Sequence, residues 1–202
     1  KAPQPVIPWS GVKECTAFGA ECPQAPYPAG SLYYRDPQPM SEDCLFLNIW
    51  TAAKAGEKKP VMVWIHGGAL TRGSGSASVY DGTNLAKQGV VLVTINYRLG
   101  PLGYLAHPEL TQESPQHSSG NYGVLDQVAA LKWVKKNIEA FGGDPGNVTI
   151  FGESAGSWSV NILVATPLAK GLFHRAIGES GATFGTSYTL KEAEKSGQAF
   201  AK

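Results

Sequence analysis

The sequence contains little of what several classes of protein depend on. Its 202 residues include only three cysteines and four histidines, and its formal net charge is +1. Because 17 basic residues are balanced by 16 acidic ones, the composition argues against nucleic-acid binding and against electrostatic recruitment to a membrane. No apolar run approaches the ~20 residues that a membrane-spanning helix needs. With 43% hydrophobic residues, the chain is expected to form a globular domain with a core of its own.

The three cysteines, Cys15, Cys22 and Cys44, all lie in the first quarter of the chain. An odd number fits one disulfide and one free thiol, and no spacing matches the C-x-x-C pattern of zinc sites. No group of histidines and acids has metal-ligand spacing either, so we expect neither a metal nor another cofactor. The chain opens at Lys1 in a proline-rich segment without an initiating methionine, and we expect that its start is cut.

The residues Gly152-Glu153-Ser154-Ala155-Gly156 have the pattern G-x-S-x-G. They follow a β-branched and aromatic run typical of a buried strand, and they precede an apolar run that is free of glycine and proline. A serine between glycines at a strand-to-helix turn is typical of the nucleophile elbow of α/β-hydrolases. Glycine is needed on both sides because larger side chains would collide with the neighbouring backbone. We therefore expect Ser154 to be a nucleophile.

The other patterns alternate between strand and helix. Strands are predicted at residues 45–50, 61–65, 90–95, 147–151 and 176–180. Helices are predicted at residues 81–88, 124–141, 157–165 and 168–175, and loops at residues 1–44 and 100–120. This alternation implies an α/β fold whose sheet is mostly parallel and carries helices on both faces.

The strand predicted at residues 61–65 leads into His66-Gly67-Gly68-Ala69, which we call the oxyanion loop. In acyl transfer the attacked carbonyl oxygen becomes an anion, and preorganised backbone N–H groups stabilise it. Small residues allow the backbone to approach the substrate closely. Such a run alone indicates an ordinary glycine-rich turn, but the elbow further along the chain favours the catalytic interpretation.

Longer stretches resemble the type-B carboxylesterase family, which includes cholinesterases and bacterial para-nitrobenzyl esterases. Residues 141–156 resemble its nucleophile signature and residues 41–49 its second signature, while residues 96–100 and 123–127 match between them. The similarity runs from about Lys1 to Ser187, and the bacterial branch is nearer. The resemblance implies an α/β-hydrolase fold.

The same resemblance implies roles for the residues of the site. Ser154 would be the nucleophile, and the amides of Gly68, Ala69 and Ala155 would hold the oxyanion. The supporting residues would be Gly67, Glu153 as a buried carboxylate outside the triad, and His66 as a packing or hydrogen-bonding element.

Two further contacts follow from the resemblance. A disulfide is expected between Cys22 and Cys44, which leaves Cys15 free. If the disulfide forms, a secreted or periplasmic location is favoured over the cytoplasm. Arg98 and Asp126 lie in matching segments and are expected to form an ion pair, since each would be costly to bury alone.

The catalytic triad cannot be completed within this sequence. In this fold the order is Ser, then Asp or Glu, then His, yet the only histidine after Ser154 is His174, and no acid lies between them. We expect His174 to lie on a short helix and His107 and His117 to be solvated. The resemblance implies that the acid and histidine lie far downstream. Residues 1–202 are therefore expected to be the N-terminal portion of one incomplete domain, truncated at both ends and inactive alone.

The expected function is hydrolysis of a small-molecule carboxylic ester through an acyl-enzyme on Ser154. The remainder of its own chain would supply the triad acid and histidine, with no nucleic-acid partner and no membrane span. One alternative is a cholinesterase-like adhesion or binding protein that keeps the fold without catalysis, and another is an inactive fragment or degraded gene copy. The intact nucleophile and oxyanion loop favour the enzyme.

Overall fold

The computed structural model describes residues 1–31, 33–54, 56–182 and 188–202. In these residues five strands form one sheet: β1 Leu47–Trp50, β2 Lys59–Ile65, β3 Val91–Ile95, β4 Gly143–Glu153 and β5 Arg175–Glu179. The strand order is β1-β3-β2-β4-β5. Only β1 runs antiparallel to its neighbour, and the other pairs are parallel. The mostly parallel sheet predicted from the sequence is confirmed.

The described residues form six α-helices: α1 Thr83–Lys87, α2 Gly100–Tyr104, α3 Pro108–Glu113, α4 Tyr122–Asn137, α5 Ala155–Ala165 and α6 Leu190–Phe200. Short 3-10 helices occur at Ser78–Tyr80, Ile138–Phe141 and Pro167–Ala169. None of the described helices is both long and apolar enough to cross a bilayer. The loop predicted at residues 100–120 is wrong in part, because α2 and α3 lie within it. Each has a proline in its first turn, where a missing N–H costs no hydrogen bond.

Both faces of the sheet are covered. Side chains alternate along a strand, so Val63 and Trp64 of β2 point to opposite faces. Val63 belongs to the same buried cluster as Leu131 of α4 and Leu163 of α5. Trp64 instead packs against Tyr80, with ring centroids 5.0 Å apart, in the segment that leads into α1. Helices on both faces, as predicted, are confirmed.

The helix predicted at residues 168–175 is wrong. Only Pro167–Ala169 forms a helical turn, and Gly171 then adopts a left-handed φ of +75° that ends it. His174 follows in extended backbone: its N–H donates to the carbonyl of Val148 at 2.8 Å, beside β4. His174 therefore lies directly before β5 and not on a helix.

The predicted ion pair between Arg98 and Asp126 is confirmed. Arg98 follows β3, and Asp126 lies on α4 with a side chain that is 0% exposed. The guanidinium donates to both carboxylate oxygens at 2.6 and 2.8 Å, and the Arg98 N–H adds a third bond at 3.1 Å. This pair ties the chain after β3 to the helix that precedes the elbow strand.

The strand β5 lies at one end of the sheet. All five of its residues are exposed, and within the described part of the chain it pairs with β4 alone. Ile177 of β5 is 45% exposed and Trp158 of α5 is 43% exposed. This end of the molecule therefore presents apolar side chains to solvent.

Candidate active site

Ser154 occupies the turn between β4 and α5. Its backbone has φ 55° and ψ −118°, a region that non-glycine residues rarely adopt. Hydrogen bonds hold the turn on both sides, because the Ser154 N–H donates to the carbonyl of Glu179 at 2.8 Å and the N–H of Trp158 donates to the Ser154 carbonyl at 3.0 Å. The strand–turn–helix context expected of an elbow is confirmed, and the catalytic role of Ser154 stays a prediction.

The two glycines of the elbow are dictated by contact with the neighbouring strand. A Cβ atom added to Gly156 would lie 2.0 Å from the carbonyl oxygen of Ile65, and one added to Gly152 would lie 2.6 Å from the same oxygen. Both distances are far below van der Waals contact, and the Ile65 carbonyl belongs to the backbone of β2, which cannot move aside. The elbow can thus close only where both positions lack a side chain.

The oxyanion loop touches the elbow. The carboxyl ends of β2 and β4 lie side by side, since Ile65 pairs with Gly152. The oxyanion loop and the elbow therefore both begin at the carboxyl ends of the strands. A Cβ atom added to Gly67 would lie 3.2 Å from Ser154 Cβ. The oxyanion loop and the elbow therefore lie side by side at Gly67 and Ser154.

The loop then turns sharply and leaves backbone donors free. Gly68 has φ 103° and Ala69 has φ 54°, and the Gly68 carbonyl accepts bonds from the N–H groups of Thr71 and Arg72 at 3.0 and 3.1 Å. The N–H groups of Gly68, Ala69 and Ala155 donate no hydrogen bond to any acceptor in the described residues. Binding of an oxyanion requires backbone donors that are uncommitted in this way.

His66 fixes the beginning of the loop. Its ring stacks on that of Tyr97, with centroids 4.4 Å apart, and its Nδ1 lies 2.8 Å from the carbonyl of Gly67. The Tyr97 hydroxyl donates to the His66 carbonyl at 2.6 Å. Burial lowers the pKa of His66 to about 4, so at neutral pH the ring is uncharged and Nδ1–H is the donor to Gly67. The ring therefore packs and forms a hydrogen bond as predicted, and its supporting role in the site stays a prediction.

The sequence profile described as the carboxylesterase family matches residues 1–202. The chain belongs to the carboxylesterase family. Among curated relatives, the para-nitrobenzyl esterase of Bacillus subtilis (strain 168) is 51% identical over 201 residues, a match that covers 99% of this chain and 40% of that protein. The fumonisin B1 esterase of Sphingopyxis macrogoltabida is 45% identical, with 98% of this chain and 36% of that protein covered.

The solved structures that this chain resembles include esterases. A thermophilic pNB esterase superposes with a TM-score of 0.88 at 49% identity, over 99% of this chain and 40% of that one. A carboxylesterase of Geobacillus stearothermophilus superposes with a TM-score of 0.78 at 52% identity, over 90% of this chain and 36% of that one. The predicted α/β-hydrolase fold is confirmed, and the chain spans 36–40% of the length of these four proteins.

No histidine in the described part of this carboxylesterase chain bonds to Ser154. His174 accepts a hydrogen bond at Nδ1 from the Val148 N–H at 3.1 Å. Val148 lies six residues before the elbow serine on β4, which corresponds to about 20 Å of extended chain. His107 caps α3, accepting from the Glu109 N–H. The triad base expected of a carboxylesterase is thus not among these side chains.

Glu153 differs from its prediction in one respect. The carboxylate lies beside the oxyanion loop, since a Cβ atom added to Gly67 would be 2.9 Å from Glu153 Oε2. However, Glu153, the last residue of β4, is half-buried and not buried. Burial raises the pKa of nearby Tyr80 to about 12, and the negative charge of Glu153 acts in the same direction.

The disulfide predicted by the family resemblance is confirmed. Cys22 and Cys44 are bonded, with Cα atoms 4.9 Å apart and both residues buried. They close a segment that we call the disulfide loop, residues 22–44. Cys15 is exposed and takes no part in the bond.

One side chain of the disulfide loop reaches the oxyanion loop and another reaches the chain just beyond it, and neither contact was predicted from the sequence. The hydroxyl of Tyr27 would lie 3.0 Å from a Cβ atom added to Gly68, and the side chain of Gln24 bonds to Gly73. Their closeness to Cys22 in the sequence was the only available signal. Neither residue belongs to a motif, so only the folded chain brings them to the site.

Proposed function

We propose that the natural protein containing this chain is a serine hydrolase of small carboxylic esters. Ser154 is the nucleophile, and the amides of Gly68, Ala69 and Ala155 hold the oxyanion. The observation that carries the proposal is the 3.2 Å approach of a Cβ position on Gly67 to Ser154 Cβ. Gly68 and Ala69 directly follow Gly67 in the sequence, and Ala155 directly follows Ser154. The relatives named as esterases support an ester substrate.

The chemistry follows from this arrangement. Ser154 Oγ adds to the ester carbonyl carbon, its proton passes to a histidine, and the carbonyl electron pair moves onto oxygen, where the three amides stabilise it. The C–O bond to the alcohol then breaks, and the alcohol takes the proton from the histidine. Water repeats the same steps on the acyl-enzyme and releases the carboxylic acid with free Ser154.

We propose that the remainder of the natural chain supplies the histidine and its acid partner. His174 is bonded to Val148 in the middle of β4, six residues before Ser154, and this supports the proposal, as does the order of the triad in this fold. Residues 1–202 would then form the N-terminal portion of one α/β-hydrolase domain. The buried disulfide between Cys22 and Cys44 favours a secreted or periplasmic location.

Labelling with a fluorophosphonate tests the assignment in the full natural protein. The reagent is expected to modify the peptide that contains Ser154, and Ser154→Ala is expected to abolish labelling and to lower p-nitrophenyl acetate turnover by about four to six orders of magnitude. Ser118→Ala, at an exposed serine, is the matched control and should retain full activity. An unlabelled protein without esterase turnover would instead favour a binding or adhesion role.

A further inference from the structure

The side chain of Gln24 joins the disulfide loop to the chain just beyond the oxyanion loop. The Gly73 N–H donates to Gln24 Oε1 at 2.6 Å, and Gln24 Nε2 donates to the Gly73 carbonyl at 2.8 Å. Nε2 also donates to the carbonyl of Cys22 at 3.1 Å. The amide is thus anchored at the disulfide and engages both backbone polar groups of one distant residue.

Gly73 lies directly behind the oxyanion loop. It is buried, with φ +116°, and a Cβ atom added to it would lie 2.3 Å from His66 Nδ1 and 2.8 Å from the Gly67 carbonyl oxygen. Only glycine fits such a conformation and such a contact. Because packed interiors transmit displacement, a shift of Gly73 must move His66 and Gly67.

The oxyanion loop needs support of this kind. Ala69 and Leu70 both have positive φ, 54° and 60°, and non-glycine residues keep such a conformation only where their surroundings impose it. Arg72, next to Gly73, also backs the loop, since a Cβ atom added to Gly68 would lie 2.1 Å from the Arg72 carbonyl oxygen. Holding Gly73 in place therefore constrains the segment from which two of the oxyanion donors come.

We propose that Gln24 is a positioning residue for ester hydrolysis: its amide holds Gly73, and through Gly73 it keeps the N–H groups of Gly68 and Ala69 aimed at the developing oxyanion. The inference rests on the proposed function of Ser154. A misplacement of about 1 Å can cost ~100-fold in rate, so loss of the amide pair should lower kcat by about 10- to 100-fold. KM should change little, because the oxyanion forms only in the transition state.

The test compares variants of the full natural protein in p-nitrophenyl acetate hydrolysis. Gln24→Met keeps the length of the side chain and removes its amide, and it is expected to lower kcat. Gln38→Met is the matched control on the same disulfide loop. Gln38 is exposed and its side chain bonds only to the nearby Asp36 carbonyl in the described residues, so kcat should stay within about twofold of wild type.

A trifluoromethyl ketone supplies a readout that a merely structural role would not move. Ser154 Oγ adds to its carbonyl carbon, the hydroxyl proton passes to the histidine, and the ketone oxygen becomes the anion held by the amides. In Gln24→Met the inhibition constant should weaken by about the factor lost from kcat/KM. A structural role would only reduce the fraction of active protein and leave the inhibition constant unchanged.

The outcomes separate the two proposals. The role of Gln24 alone would be overturned if Gln24→Met kept the wild-type kcat and inhibition constant. It would also be overturned if Gln24→Met had a lower kcat but an unchanged inhibition constant. If Gln24→Met does not fold, Gln24→Glu is judged by the same two measurements, because it keeps the acceptor for the Gly73 N–H and loses both Nε2 bonds. A wild-type protein without Ser154-dependent turnover would overturn the proposed function and the role of Gln24 with it.

Discussion

At the scale of single residues, Ser154 holds a backbone conformation that costs stability. Its φ of 55° and ψ of −118° cost a non-glycine residue on the order of 1–3 kcal/mol. The conformation persists because hydrogen bonds to Glu179 and Trp158 fix the turn and because the sheet fixes the strand before it. The cost is the consequence of raising a hydroxyl clear of the sheet edge.

Replacing Ser154 by glycine should therefore relieve strain in the folded protein. Ser154→Gly relieves the strain, which outweighs the extra flexibility of glycine in the unfolded chain, and we expect a gain of about 1 kcal/mol over Ser154→Ala. Both variants lack the hydroxyl, so the comparison isolates the backbone. The test is to compare the melting temperatures of the two variants. If Ser154→Ala is at least as stable as Ser154→Gly, the backbone at this position is not strained.

A second residue makes stability depend on pH. Burial lowers the pKa of His66 from 6.5 to about 4, with the cation of Arg35 acting in the same direction and the bond to the Gly67 carbonyl opposing it. Above pH 6.5 the ring is neutral in both folded and unfolded chains, and its contribution to stability is complete. Between pH 6.5 and about 4 only the unfolded chain takes up the proton, so about 3 kcal/mol is lost across this window.

The effect of His66 titration can be isolated by replacing His66 with asparagine, whose side chain donates a hydrogen bond but does not ionise. The difference in unfolding free energy between wild type and His66→Asn should fall by about 2 kcal/mol from pH 7 to pH 5. His117→Asn, at an exposed histidine, gives the comparison for a surface position. A wild-type-to-His66→Asn difference that stays constant with pH would show that burial does not perturb the ring.

At the scale of elements, the ion pair between Arg98 and Asp126 links β3 to α4. Removing one partner leaves a buried charge without compensation, so Asp126→Leu or Arg98→Met alone should cost about 3–5 kcal/mol. The double variant should cost less than either single one, because both charges are gone. Unfolding free energies of all four proteins form the test, and additive losses would mean that the two side chains act independently.

The disulfide loop is stabilised by its covalent closure. Cys22 and Cys44 are 22 positions apart, and in the chain-entropy account closing a loop of this size contributes about 3 kcal/mol. Replacing both by serine should lower the unfolding free energy by about that amount, whereas Cys15→Ser, at an exposed free thiol, should leave it unchanged. If Cys15→Ser lowered the unfolding free energy as much as the double serine variant, loop closure would not be the cause of the loss.

Local patterns predicted the elements that carry the site better than the contacts between them. Gly152 and Gly156 could be interpreted from sequence because the turn itself demands them. The bond from Gln24 to Gly73 could not be predicted, because it joins loops 49 positions apart and neither loop has a periodic pattern. The prediction that His174 lies on a helix was wrong for a related reason. The apolar residues near it suit a helix and a strand equally well, and the segment after it forms a strand because it pairs with β4.

At the scale of the whole molecule, the proposed catalysis needs a histidine and an acid besides the residues described here. The chain covers 40% of the length of the Bacillus subtilis relative, and no described histidine bonds to Ser154. Residues 1–202 expressed alone should therefore hydrolyse p-nitrophenyl acetate no faster than their Ser154→Ala variant. Robust turnover that depends on Ser154 would mean that a histidine within the chain, such as His174, serves as the base.

The strand β5 also affects the solubility of residues 1–202 when they are expressed alone. Its outer edge offers a row of N–H and C=O groups that have no partner in the described residues, and Ile177 is 45% exposed beside them. An edge of this kind is a template on which a strand of another molecule can pair. Concentrated solutions of residues 1–202 should therefore aggregate through β5, and a gatekeeper charge such as Ile177→Lys should raise their solubility.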